Sequence, residues 1–101
     1  EINIAICDDE KNYINEIIQY LNNCSWKRNN SFVYHTFYCG EALLESKQYF
    51  DFIILDIEMD KVSGIEVKEI FYSGGRVSGQ NPIGNYITNY YNNMIVIGDL
   101  F

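Results

Sequence analysis

Two short apolar runs, each ended by acids, constrain this chain more than any other feature. Ile2 to Cys7 (INIAIC) stops at Asp8-Asp9-Glu10, and Phe50 to Ile57 (FDFIILDI) carries Asp56 near its end. Apolar residues at consecutive positions are what a strand needs when both of its faces are covered. Helical and strand patterns alternate along residues 2–71, so helices are available to cover those faces. This order predicts an α/β fold with right-handed crossovers and a parallel sheet, and it places function at the carboxyl ends of the strands.

The intervening patterns fill in that frame. Tyr13, Ile14, Ile17, Ile18, Leu21 and Cys24 recur at the spacing of an amphipathic helix, predicted over about 10–24, and the acids before it suit the helix dipole. Asn29-Asn30-Ser31 reads as a turn, followed by a strand rich in aromatic and β-branched residues over Phe32–Tyr38. Gly40 to Lys47, carrying Ala42, Leu43 and Leu44, reads as a short helix before the third strand, which ends at about Asp56. Ser63-Gly64-Ile65-Glu66 has the spacing of a capping box and predicts a helix over about 64–71.

With 101 residues, 48% of them hydrophobic, the chain has material for one core and one domain despite a net charge of -7. Its pI near 4.4 repels phosphate backbones, so nucleic acid is not expected on this chain itself; basic partners, or cations such as Mg²⁺, are favoured. The longest apolar runs fall far short of the roughly 20 residues that span a bilayer. Cys7, Cys24 and Cys39 form no CxxC or Cys/His cluster. They read as reduced core thiols, and with no leader pattern at the start the expected location is cytoplasmic. Composition changes near residue 71, beyond which Asp99 and Arg76 are the only charged side chains. Residues 1–71 are therefore taken as the core and 72–101 as an atypical tail. Ser73-Gly74-Gly75 and Ser78-Gly79 break helix there, whereas Asn85–Tyr91 and Met94–Ile97 suggest two strands around Asn92-Asn93 that would complete the sheet.

If the first and third strands are neighbours, Asp8, Asp9 and Asp56 converge at one sheet edge. Three carboxylates so close raise each other's pKa unless a hard cation neutralises them, and Mg²⁺ suits oxygen ligands of this kind. A carboxylate beside Mg²⁺ can attack a phosphoryl group, because the cation screens the repulsion between oxygens. Taken singly, an acid at a strand end is more often a solvated loop residue. It is the coincidence of three behind apolar strands that favours a site.

Through IAICDDE (Ile4 to Glu10) and LDIEMDKVSGIEV (Leu55 to Val67), the chain resembles the receiver domain of bacterial two-component response regulators over residues 2–71. The flavour of LDIEM and SGIEV is most similar to receivers preceding a LytTR-type DNA-binding domain. The resemblance implies a flavodoxin-like parallel sheet, incomplete in this short chain, with an atypical C-terminal segment. It implies that Asp56 accepts phosphate from a sensor histidine kinase. Asp9 would bind Mg²⁺ directly, Asp8 through water, and the Glu58 backbone carbonyl would complete the site, with the Glu58 side chain beside the phosphate entrance. Met59 and Gly64 would shape the following loop, where Asp60 replaces the family's usual proline. Thr88 is the best match to the switch hydroxyl, and no lysine after Lys68 matches the switch lysine.

The implied role is a signalling module and not a conventional enzyme, controlling transcription through a DNA-binding output domain outside this chain. The alternatives are a phosphorylation-independent interaction module and, more remotely, a small Mg²⁺-dependent phosphohydrolase with Glu58 as its second acid. An exposed sheet edge would also allow a homodimer. Three further features have blander expectations: His35 as an ordinary sheet residue, Cys7 as an inert buried thiol, and Trp26-Lys27-Arg28 as a solvated loop.

Overall fold

A computed structural model describes residues 1–23, 31–46, 48, 50–59, 61–73 and 94–98. In order, the elements are β1 (Ile2–Cys7), α1 (Lys11–Asn22), β2 (Phe32–Phe37), α2 (Gly40–Glu45), β3 (Phe52–Asp56), α3 (Gly64–Ser73) and β4 (Met94–Gly98). They form a four-stranded open sheet of order β2-β1-β3-β4, in which β1 lies parallel to both β2 and β3. This is a small α/β fold, and three parallel strands with helices on the sheet are compatible with a flavodoxin-like arrangement.

Alternation along the strands sorts side chains onto two faces. Ile2, Ile4 and Ile6 of β1 join Phe52 and Ile54 of β3 against Ile14, Ile17 and Leu21 of α1. Ala5 and Cys7 join Ile53 and Leu55 against Leu43 of α2 and Val67 of α3. Every residue of β3 is buried, which explains why its sequence is apolar without a break until Asp56. Each large aliphatic side chain removed from water contributes about 1.5–3 kcal/mol, so both faces are needed to hold a sheet of five- and six-residue strands.

The sheet is pinned at its amino end by polar groups. Asn3 N–H donates to Asp51 Oδ2 at 2.8 Å, Asp51 N–H donates to the Asn3 carbonyl at 2.8 Å, and Asn3 Oδ1 lies 3.1 Å from His35 Nε2. His35 also packs edge-on against Phe50, with ring centroids 5.3 Å apart. These contacts lock the register of β1 against its neighbours, and through it the height at which β1 and β3 end.

Several boundaries differ from the sequence expectations for identifiable reasons. Helix α1 has no acid in its first turn, and Glu10 at its N-cap makes no side-chain capping bond. Asp8 Oδ1 accepts from the Glu10 N–H at 2.8 Å instead, so the acid turn closes on itself just before the helix. Ahead of α3, the Glu66 N–H donates to Ser63 Oγ at 3.2 Å, the serine half of the expected capping box. The helix then runs two residues beyond the expected end at 71.

Strand β4 departs from a fully parallel sheet: it runs antiparallel to β3, with Met94 opposite Asp56 and Gly98 opposite Phe52. The expected strand at 85–91, Thr88, Arg76, Cys24 and Trp26-Lys27-Arg28 lie outside the described residues. Among the described residues, no helix is long and apolar enough to cross a membrane.

Candidate functional site

The carboxyl ends of β1 and β3 place three carboxylates together because the two strands are parallel neighbours in register, with Cys7 opposite Leu55. One carboxylate oxygen from each of Asp8, Asp9 and Asp56 lies within 4.8 Å of the other two. Asp8 and Asp56 are buried, whereas Asp9 is exposed at the mouth. The three residues expected from sequence are therefore brought to one place.

Backbone groups hold the two buried acids. The Asp8 N–H donates to the Phe37 carbonyl at 3.0 Å, extending the β1-β2 ladder by one residue. Asp56 Oδ1 accepts from the Glu58 N–H at 3.2 Å, and the Glu58 side chain is exposed. Behind Asp56 the chain turns tightly, with the Gly64 N–H donating to the Ile57 carbonyl at 3.0 Å. A Cβ on Gly64 would collide with the Asp56 carbonyl oxygen, so only glycine lets α3 begin this close to the acid. Lys61, at φ 65, supplies the left-handed residue of the same turn.

Electrostatically the cluster is under-neutralised. Burial raises the Asp8 carboxyl from 3.8 to about 6, the Glu10 N–H opposes the rise, and the negative charges of Asp56 and Asp9 add to it. Asp56 is pushed the same way, chiefly by burial and then against the Glu58 N–H by Asp9 and Glu58. Asp8 Oδ2 is buried and accepts no hydrogen bond from the described residues. A buried carboxylate oxygen without a donor is costly unless a cation meets it, so the donor set of three hard oxygens fits Mg²⁺.

The surroundings match the expectations in part. Met59 packs against the apolar cluster beneath the edge, and the Cys7 thiol, pushed by burial up to about 12, donates to the Cys39 carbonyl at 3.3 Å. That is the inert thiol anticipated. Sequence reading missed a rim formed by Lys11 and Tyr38, where the Lys11 ammonium lies 5.8 Å from the Tyr38 ring centroid. The available signal was positional: Tyr38 follows β2 as Asp8 follows β1, so both belong to the same sheet edge. Thr88, the expected hydroxyl, is outside the described residues, and the residue that β4 brings opposite Asp56 is Met94.

Comparison with protein-family models, with curated proteins and with solved structures finds no match to this chain.

Proposed function

We propose that this chain is a phospho-accepting receiver domain, in which Asp56 takes a phosphoryl group from a histidine kinase in a Mg²⁺-dependent reaction. The observation that carries this reading is the buried Asp8 Oδ2, which has no hydrogen-bond partner among the described residues, in a cluster where one oxygen from each of three carboxylates lies within 4.8 Å of the others. Asp9 and Asp56 would hold the ion directly, Asp8 through water, and the Glu58 carbonyl would complete the set. Bound there, Mg²⁺ would supply positive charge that keeps the carboxylates ionised and offsets repulsion by an incoming phosphoryl group.

The chain's own residues do the rest. The Glu58 N–H orients the Asp56 carboxylate, and the close start of α3 at Gly64 fixes its backbone. An Asp56 oxygen attacks phosphorus, the bond from phosphorus to the donor nitrogen breaks, and the imidazole leaves with its electron pair and takes up a proton. The product is an aspartyl phosphate whose added charge would bias a partner surface. In this reading the protein is cytoplasmic and regulates transcription through an output domain outside this chain.

Radiolabelled phosphate from a phosphohistidine or small phosphoramidate donor is expected on the wild type only with Mg²⁺, and not on Asp56→Asn. Equal labelling of wild type and Asp56→Asn would overturn the acceptor assignment.

The antiparallel entry of β4 favours a second reading, a phosphorylation-independent interaction module. It sets Met94 opposite Asp56, and so brings the start of a strand to the acid edge. Beryllofluoride discriminates: Mg²⁺-dependent spectral changes support the phospho-acceptor, and their absence supports the interaction module.

A further inference from the structure

Lys11 opens α1 and follows Asp9 by two residues, so its Cα lies no more than about 7.6 Å from that of Asp9. Asp8, Asp9 and Glu10 immediately precede it, yet its ammonium forms no ion pair among the described residues. It lies instead 5.8 Å from the centroid of the Tyr38 ring, and both side chains are exposed. Tyr38 belongs to the same edge, because the Asp8 N–H bonds the Phe37 carbonyl and so sets the residue after β2 alongside the residue after β1. An exposed cation–π contact is weaker than a charge-assisted hydrogen bond to a phosphoryl oxygen. The ammonium is therefore free to leave the ring for an anion.

We infer that Lys11 is the anion-recognition residue of this edge: its ammonium leaves the Tyr38 ring and binds an oxygen of the phosphoryl group that arrives at Asp56. Charge balance requires such a group. Three carboxylates with one Mg²⁺ sum to one negative charge, and the exposed Glu58 side chain adds another, so an anionic phosphoryl group is still repelled. Of the described lysines, Lys68 lies within α3 and Lys61 in the loop after β3, whereas Lys11 continues directly from the acid turn. Its flexible four-carbon stem lets a compact charge reach over the neighbouring Asp9. The Tyr38 ring has a matching role, keeping the ammonium at the edge without committing it to an acid. The choice of ligand rests on the phospho-acceptor reading; the place of Lys11 on the edge does not.

The test is a titration of the full chain with inorganic phosphate in Mg²⁺, read by NMR at the Lys11 side chain and the Tyr38 ring. Phosphate is expected to move the Lys11 methylene resonances saturably out of the shielding of the ring. Affinity should fall about tenfold in Lys11→Ala and be largely kept in Lys11→Arg, both exposed changes that a first helical turn accepts. Lys61→Ala removes the same charge from the neighbouring loop and is expected to weaken binding by less than about threefold. Lys11 resonances unmoved by phosphate, or equal weakening in Lys11→Ala and Lys61→Ala, overturn the inference. Labelling of Asp56 by phosphoramidate is scored separately. A Lys11 shift without labelling overturns the acceptor reading alone, and labelling without a shift overturns the Lys11 assignment alone.

Discussion

The Asp8 carboxyl titrates near 6 in the folded protein and near 3.8 when unfolded, so the native state binds the proton more tightly. Stability from this group is fully present below about pH 4, falls as pH rises through 6, and is flat above. That rise corresponds to roughly 3 kcal/mol, and burial pushes Asp56 in the same direction. Thermal melts in chelator should therefore show the protein less stable at pH 7 than at pH 4.5, and Asp8→Asn should flatten the profile. Saturating Mg²⁺ should restore the loss at pH 7; a metal-independent profile would contradict a cation at this cluster. Gly64 acts through space instead of charge. Gly64→Ala places a methyl against the Asp56 carbonyl and is expected to cost about 1–3 kcal/mol in urea melts, with weakened Mg²⁺ binding by calorimetry.

At the scale of elements, α1 shows how a periodic pattern becomes a face. Ile14, Ile17 and Leu21 are buried against β1 and β3, but Tyr13, in the same apolar stripe, is 47% exposed. Ile17→Ala should lower stability by about 2–5 kcal/mol, whereas Tyr13→Ala should stay within about 0.5 kcal/mol, both measured by chemical denaturation. The helix and the runs Ile2–Cys7 and Phe52–Asp56 were legible because their spacing matches 3.6-residue periodicity or continuous burial. The helix start at about residue 10 was legible to within a residue; its cap was not, because the Glu10 N–H is met by Asp8 from outside the helix and the Glu10 side chain makes no capping bond. Nor does residue order distinguish an alanine-compatible glycine from Gly64; the clash belongs to two segments meeting.

Across the whole molecule, β4 covers the edge of β3, the most buried strand. Ending the chain after Ser73 would leave the β3 ladder unpaired and is expected to give dimers or larger species by light scattering, where the full chain has less tendency to associate. An unchanged mass for the truncated chain would mean that β4 is dispensable as edge cover. The strand-helix order, the apolar faces and the placement of Asp8, Asp9 and Asp56 at the ends of buried strands could be read from residue order alone, because burial and periodicity are local constraints written into consecutive residues. The chain path in three dimensions set the rest: β4 runs antiparallel with Met94 opposite Asp56, Asp8 Oδ2 has no donor among the described residues, and Cys7 meets Met59. Those depend on which distant segments come to share space, and contact between residues some fifty positions apart leaves no period in the chain to read.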